Sequence, residues 1–547
     1  MSRSGKSAFT ASKVLMVCAL SCILALAAFA PAIAAEKVLR SNFVSDPVTI
    51  DPSLTTEISS AQLIMNCFEG LMGYDTSGKL VQAAAESYTI SDDGLTYTFK
   101  LRKDGVWSNG DPVKASDFAF AWRRVLSPEA AADYATEMYY IKNGEKFNRG
   151  EAKESDLGIR AIDDYTLEVT LESPTGFFLA LTTSFFYMPE NEKVVSPNKE
   201  WTLKAETYVG NGPFMLQEWR PKDRIVMVKN PKYRDASQVK LDRVEFRILT
   251  DANSTLATYE AGDLDVADSN IPAAMVPSLL AEGKAENVPY LGSVWMHFNV
   301  SDNAMEYDPV QAKATLDPRV RKALNLAIDR NVLVKNVTKS GERPATSFVP
   351  YGIIGSDGKD FKDKDYFKPE GDVAEAKRLL AEAGYPDGKG FPALTYIYGN
   401  FGVNGDVAQA VQAMLKSNLN VTLNLEDMEY GVMLNRRGKK NRQYIMAYHR
   451  WIADYVDPAN FLQLFTLADS SNHNNPKYDA LIKEAQSMTD PAKRFDKLRE
   501  AEAMLMDDMP FLPLYYMTNT IMVKDYVKGY NKDIMGYVRF RYIDIVK

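Results

Sequence analysis

The chain has 547 residues, of which 46% are hydrophobic, and its 64 Lys and Arg residues are outnumbered by 72 Asp and Glu residues, for a formal net charge of −8. This length exceeds what one hydrophobic core usually organises, so we expect two or three domains. The acidic balance and the absence of a long basic run argue against a nucleic-acid partner.

The first 35 residues have the pattern of an export signal. Three basic residues and no acid precede an apolar run at 14–30, Pro31 ends this run, and an Ala-Ile-Ala tripeptide follows in the form that signal peptidase cuts. The alternative is a membrane anchor, but the run is short for a span. We therefore expect cleavage near Ala34 or Ala35, which leaves an exported chain with a net charge of −11.

Cysteine usage indicates how the exported chain is stabilised. Of the three cysteines, only Cys67 lies beyond the export signal, so the mature chain forms no internal disulfide. Stability must then come from a large core. Cys67 itself stands in an apolar segment, which predicts a small buried residue rather than a reactive thiol.

Strand patterns recur along the chain without a repeat period. Apolar and polar residues alternate at 95–101, 167–171 and 244–248, and a fourth strand is expected at 394–398. Strands that are interspersed with helices predict an α/β or α+β fold with several sheets.

Helix starts are marked by aspartates. Asp317, Asp372 and Asp490 each stand directly before an apolar pattern of helical period, which is the position of an N-cap. Proline follows the first and third of these, and Glu375 completes a capping box with the second.

Turn-rich stretches are the candidate domain boundaries. They lie at 70–78, 209–213, around 290–292, and at 510–513. No low-complexity linker separates them, so the domains should lie close together, with the chain passing between them more than once.

Catalytic motifs are absent from the sequence. The three histidines are not spaced as a metal pair, and neither a phosphate-binding GxxxxGK[ST] loop nor a GxSxG elbow occurs. The glycine-rich stretch at 388–393 resembles a dinucleotide loop but precedes a predicted strand instead of following one. We therefore expect a binding protein rather than an enzyme, without a cofactor.

Asp454 is the most informative single residue. It lies between aromatic and apolar neighbours, and the following twenty residues contain no Lys or Arg. A buried acid needs a positive partner, and the ammonium group of a ligand is one candidate. The alternative, favoured on these grounds alone, is a helix N-cap ahead of Pro458.

Nine short motifs follow one another along the exported chain. They are 50–52 (IDP), 67–71 (CFEGL), 101–110 (LRKDGVWSNG), 113–118 (VKASDF), 161–167 (AIDDYTL), 211–214 (NGPF), 317–323 (DPRVRKA), 379–385 (LLAEAGY) and 453–455 (ADY). Each motif alone is weak, but their order and spacing are specific. Together they resemble one family over essentially the whole exported chain: the extracytoplasmic solute-binding proteins of peptide ABC transporters (family 5), which include oligopeptide-binding proteins of the Gram-negative periplasm.

The resemblance implies a two-lobed α/β periplasmic-binding-protein fold of type II, similar to cluster C, with the ligand enclosed between the lobes. Three domains are expected. One combines 36–72, 197–291 and 516–547; a smaller domain, 73–196, is inserted into it; and 292–515 forms the other lobe.

The resemblance also implies a periplasmic, monomeric receptor that binds an extended oligopeptide and delivers it to an ABC permease. Such proteins hold the peptide backbone as an added strand, so they largely do not recognise the side chains of the peptide. Alternatives within the same fold are a dipeptide, a murein peptide or an oligosaccharide as solute; few histidines argue against a metal chelate. A peptide-binding chaperone or a secreted hydrolase are alternatives from other classes.

Ligand contacts are implied for the stretch around the Ala-Asp-Tyr motif. In the family this aspartate binds the α-ammonium group, which gives that role to Asp454. Trp451 and Ile452 lie on the strand that pairs with the peptide in relatives, although Trp451 also suits a core position. The remaining residues of this predicted set are Arg450, Ala453 and Tyr455.

Other implied contacts come from the N-terminal half. A second ligand-pairing strand is expected around Ser59, Ser60 and Ala61. Tyr134 resembles a tyrosine in a loop near the ligand.

The sequence departs from the family at two places. Gly292 and Ile452 stand where some relatives have a disulfide, and Tyr448 stands where some have an arginine. For the carboxylate of the peptide, Arg450 and Arg436 are substitute candidates, as are Arg437 and His449, although each also suits a surface position. The preferred peptide length therefore stays open.

Overall fold

The computed structural model describes residues 36–438, 441–466 and 473–547. The expected export signal at 1–35 lies outside the described residues. The strands are β1 Val38–Phe43, β2 Met72–Tyr74, β3 Leu80–Gln82, β4 Ala85–Ile90, β5 Thr96–Leu101, β6 Ile159–Asp163, β7 Thr166–Thr170, β8 Phe214–Arg220, β9 Arg224–Lys229, β10 Arg243–Ile248, β11 Val266–Ala267, β12 Glu286–Phe298, β13 Arg343–Pro344, β14 Leu394–Gly399, β15 Leu423–Met428, β16 Met446–Ile452, β17 Phe511–Val523, β18 Val527–Lys528 and β19 Asp544–Ile545.

Helices cover and connect the strands. They are α1 Ile58–Cys67, α2 Ala115–Leu126, α3 Gly144–Asn148, α4 Phe178–Leu181, α5 Glu192–Val195, α6 Ala252–Glu260, α7 Val276–Ala281, α8 Asn303–Tyr307, α9 Pro309–Thr315, α10 Pro318–Leu326, α11 Arg330–Val332, α12 Val373–Glu382, α13 Asn404–Leu419, α14 Tyr430–Arg437, α15 Ala459–Leu462, α16 Pro476–Ser487 and α17 Pro491–Asp508. In the described part of the chain, no helix has both the length and the apolar character that a membrane crossing requires.

Three larger sheets organise the chain. One has the order β1-β10-β9-β8, with β1 and β10 parallel, and a second, antiparallel sheet has the order β4-β5-β7-β6. The third sheet, with the order β11-β17-β12-β16-β14-β15, has β13 added beside β17. This mixed α/β architecture agrees with the expected fold class.

The predicted strands and the predicted helix N-caps are confirmed. The four predicted strands correspond to β5, β7, β10 and β14. Asp317, Asp372 and Asp490 cap α10, α12 and α17 through their carboxylates, which accept backbone N–H groups of the first turn. Cys67 is buried, as expected, and burial raises the pKa of its thiol to about 12.

Three of the four turn-rich stretches contain strand residues, since β2 occupies part of 70–78. Residues 290–292 lie inside β12, and the segment after Pro510 begins β17. These two long strands pair antiparallel, with a register shift between Pro289 and Ser293. Glycine and proline here mark an irregularity within a strand pair rather than a turn.

The expected strand around Ser59, Ser60 and Ala61 is also wrong, because these residues form the first turn of α1. Nearly all of α1 is buried, so its sequence lacks an amphipathic period and does not distinguish a helix from a buried strand. Gln62 and Asn66 anchor the helix, since both side chains donate to the carbonyl of Val538, over 2.8 and 2.9 Å.

Candidate ligand-binding site

One edge of β16 is largely free. β16 pairs with β12 along its whole length, from Met446 to Ile452, but β14 pairs with it only at Met446 and Ala447. From Tyr448 to Ile452, no strand of the described residues covers that second edge. An uncovered edge presents backbone N–H and C=O groups to which an extended chain can bind.

Asp454 follows this edge directly. Its carboxylate accepts a hydrogen bond from the Tyr134 hydroxyl over 3.4 Å, and its backbone N–H donates to Oδ1 of Asn460 over 3.2 Å. Burial raises the pKa of the Asp454 carboxyl to about 6, and hydrogen bonds from Asn460 and Tyr134 oppose the increase. Within the described residues, no Lys or Arg forms an ion pair with it. The carboxylate is thus desolvated without a cation from the protein.

Of the two acids in this stretch, Asp457 rather than Asp454 stabilises the local fold. Asp457 caps the turn that leads into α15 by accepting the N–H of Ala459 over 2.9 Å. Its carboxylate also accepts two hydrogen bonds of 2.7 Å from the guanidinium of Arg494, and both side chains are buried. The alternative that Asp454 is an N-cap is therefore wrong.

The other predicted residues of this stretch surround Asp454. Trp451 is half-buried, and its indole N–H donates to Oδ1 of Asn460 over 2.7 Å, so Asn460 links Trp451 to the backbone of Asp454. Ala453 is buried and donates to the carbonyl of Leu291 over 2.9 Å. Ile452 lies opposite Gly292 across the β12–β16 pair.

One aromatic stack and the hydrogen bond from Tyr134 bring the segment 73–196 against Tyr455 and Asp454. The ring of Tyr455 stacks on Phe177, with 4.9 Å between ring centroids and 6° between planes. Within this segment, the ring of Tyr134 stacks on Phe186 at 4.9 Å, which holds its hydroxyl toward Asp454. The structure therefore places Tyr134, predicted from the N-terminal half, beside Asp454.

A small cavity adjoins Asp454. Its walls come from five separated stretches of the chain, and they include Met65, Tyr74, Phe185, Asp454, Tyr537 and Arg539. The sequence interpretation missed Met65 and the residues near 535–539, which lie in no motif. The only local hint is one arginine, Arg539, between the apolar residues Val538 and Phe540.

Arg450 is a predicted carboxylate-binding candidate on the free edge, and so is Arg437, which already donates to the backbone of that edge. The guanidinium of Arg450 lies over the rings of Phe401 and Tyr430, 5.3 and 6.0 Å from their centroids, and no acid of the described residues pairs with it. Tyr448 is buried, and its carbonyl accepts a hydrogen bond from Arg437 over 2.7 Å.

The remaining candidates have other contacts. Arg436 pairs with Glu426 over 3.0 Å and donates to the Tyr307 hydroxyl, so the structure does not bring it to Asp454. His449 stacks on Trp295, and burial holds the pKa of its imidazole well below the usual range, which leaves it uncharged.

Ser59, Ser60 and Ala61 provide no strand edge. Ala61 is buried, Ser59 is half-buried, and the hydroxyl of Ser60 donates to Glu57 over 3.3 Å. The same helix reaches the cavity through Met65 instead.

A desolvated acid beside an uncovered strand edge, in a cleft built from separated chain segments, is typical of a receptor that encloses its ligand. Comparison with known proteins agrees. Residues 79–473 match the model of bacterial extracellular solute-binding proteins, family 5, and the chain belongs to this family.

Individual relatives match over nearly the whole chain. A dipeptide-binding protein of Bacillus subtilis is 36% identical over 515 residues, covering 93% of this chain and 92% of its own length. Among solved structures, the unliganded open form of a periplasmic murein tripeptide-binding protein has a TM-score of 0.81 at 30% identity, covering 94% of this chain and 98% of its own. The Haemophilus influenzae oligopeptide-binding protein in complex with the peptide RPPGFSPFR has a TM-score of 0.70, also at 30% identity, covering 94% and 99%. The fold is therefore the two-lobed fold of these binding proteins.

Proposed function

We propose that the protein is an exported receptor that captures peptides by their α-ammonium group and backbone and delivers them to an ABC permease. The observation that carries this proposal is Asp454, a desolvated acid without a cation from the described residues, directly beside the free edge of β16. The names of the relatives support a peptide as the solute.

The α-ammonium group supplies the positive partner that Asp454 lacks. A desolvated pair of this kind contributes strongly, since removing one partner typically costs ~2–5 kcal/mol. Hydrogen bonds to the free edge of β16, from Tyr448 to Ile452, then hold the peptide backbone without recognising its side chains.

In this proposal, Arg450 binds the carboxylate at the far end of the peptide. Arg450 precedes Asp454 by four residues, and at a strand rise of ~3.3 Å per residue this separation is roughly 13 Å. A peptide of three or four residues spans this distance between its ammonium and carboxylate groups. The guanidinium over Phe401 and Tyr430 has no acid within the described residues to compete with that carboxylate.

Closure of the two lobes completes the site. The expected division puts 36–72, 197–291 and 516–547 in one domain, with 73–196 inserted, and 292–515 in the other lobe; β12 and β17 would cross between the lobes at their register shift. Ligand contacts that form only on closure would drive this hinge.

The cellular setting follows from the same proposal. The export signal at 1–35 would be cleaved near Ala34 or Ala35, and the mature protein would act in the periplasm as a monomer that docks on its permease. The proposal includes no catalytic step.

Calorimetric titration with tri- to pentapeptides tests the function. We expect free-amine peptides to bind and their N-acetylated forms to bind at least about 30-fold more weakly, as loss of the charged pair requires. No heat with any free-amine peptide would contradict the proposal.

A second candidate keeps the fold and changes the solute to a dipeptide or a murein peptide, which the names of two relatives favour. Native mass spectrometry of the protein, purified with its co-purifying ligand, distinguishes these solutes by mass.

A further inference from the structure

Arg539 stands out among the arginines of the described residues. Its side chain is only 17% exposed, its Nη1 is buried without a hydrogen-bond partner, and its nearest acid, Asp533, lies 3.9 Å away. By contrast, the more deeply buried Arg494 directs both terminal nitrogens at Asp457, in two hydrogen bonds of 2.7 Å, and only its Nε lacks a partner. Buried donors are normally paired, so Arg539 has capacity for an acceptor that the protein does not supply.

Asp533 does not accept a hydrogen bond from Arg539. Its Oδ1 accepts the backbone N–H groups of Met535 and Tyr537 over 3.0 and 2.8 Å, which fixes the carboxylate in its own turn. The separation of 3.9 Å from Arg539 is an ion pair without a hydrogen bond.

Arg539 lines the same cavity as Asp454. If the α-ammonium group of a peptide binds Asp454 and its backbone follows the edge of β16, the first side chain begins at this cavity. The walls contain Met65, Met535 and aromatic rings, which suit a methylene stem. Arg539 is the only cationic residue among them, and Asp533, whose Oδ1 is held by its own turn, also lines the cavity.

From this arrangement, and resting on the proposed function, we propose that Arg539 reads the first side chain of the peptide and selects an acidic one, glutamate or aspartate. A guanidinium binds a carboxylate through two parallel hydrogen bonds. An apolar side chain would leave the Nη1 donor buried and unpaired, and a basic side chain would face a like charge.

Calorimetry on the wild-type protein tests the selectivity with four tripeptides that differ only at the first residue: Glu-Ala-Ala, Gln-Ala-Ala, Leu-Ala-Ala and Lys-Ala-Ala. We expect Glu-Ala-Ala to bind about tenfold more tightly than Leu-Ala-Ala, with Gln-Ala-Ala between them and Lys-Ala-Ala weakest. Equal or tighter binding of Leu-Ala-Ala or Lys-Ala-Ala would overturn this inference alone. Failure of every tripeptide to bind would overturn the proposed function and this inference with it.

The variant Arg539→Met assigns the preference to this residue. We expect it to bind Glu-Ala-Ala and Leu-Ala-Ala within about threefold of each other, with the affinity for Leu-Ala-Ala unchanged. Arg247→Met is the matched control, because Arg247 is an exposed arginine 3.6 Å from Asp263 and outside this cavity; it should keep the wild-type order. A tenfold preference for Glu-Ala-Ala that survives in a folded Arg539→Met protein would overturn the assignment. Should this variant fail to fold, the wild-type series still decides the selectivity.

Discussion

The hydroxyl of Tyr134 lies 3.4 Å from Oδ1 of Asp454, although 320 residues of sequence separate them. A phenol donates a hydrogen bond but carries no charge. Tyr134 therefore orients the carboxylate without neutralising it, which keeps the negative charge for a cationic ligand.

Removal of this hydroxyl should weaken binding modestly. Tyr134→Phe keeps the ring stacked on Phe186 but loses one hydrogen bond, worth ~0.5–1.5 kcal/mol. We expect peptide affinity to fall roughly two- to tenfold in calorimetry. Tyr139→Phe is the control, since the Tyr139 hydroxyl donates to Asn148 and not to Asp454; equal losses in both variants would contradict the orienting role.

Peptide affinity should depend on pH through Asp454. The pKa of this carboxyl is about 6 in the ligand-free protein, and a bound ammonium group favours the charged form and lowers it. Affinity should therefore be constant near pH 7 and fall about tenfold per pH unit below 6. Titrations of wild type and Asp454→Asn from pH 5 to 7.5 check this, and a wild-type affinity that stays constant down to pH 5 would refute it.

Asp454→Asn should stabilise the ligand-free protein at neutral and higher pH. Because the folded-state pKa lies above the ordinary 3.8, protonation of Asp454 stabilises the fold below about pH 4, and this contribution is lost as the pH rises through 6. An uncharged amide avoids that loss, so we expect ~1–2 kcal/mol of added stability at pH 8 and none at pH 4. Urea unfolding at both pH values measures the difference; a less stable variant at pH 8 would indicate a structural role for the carboxylate.

Substitution of Asp457 should instead destabilise the protein, although Asp457 lies only three residues from Asp454. Asp457→Ala leaves the buried guanidinium of Arg494 without its partner, which typically costs ~3–5 kcal/mol. We expect a large drop in the free energy of unfolding by denaturant titration. A loss below ~1 kcal/mol would show that the pair of Asp457 and Arg494 does not hold this region together.

The sequence predicted local structure where the signal is local. The capping aspartates of α10, α12 and α17 and the alternating pattern of β5, β7 and β10 depend on residues within one turn or strand, so the structure reproduces them. The environment of Asp454 was predicted partly from apolar neighbours and partly from family resemblance.

The failures have tertiary causes. Gly292 belongs to a strand because β16 and β17 approach β12 so closely there that a Cβ would meet Met517 at 2.8 Å. Ser59 to Ala61 form a helix that is buried by sequence-distant segments. Arg539 and Met65 reach the cavity only through packing, and no local pattern marks them.

The most direct measurement is a thermodynamic cycle that combines Asp454→Asn with N-acetylation of one tripeptide. If Asp454 binds the α-ammonium group, acetylation should weaken binding to the wild type at least about 30-fold and change binding to Asp454→Asn less than about threefold. Equal losses on acetylation in both proteins would show that the amino end binds elsewhere, and would contradict the central claim.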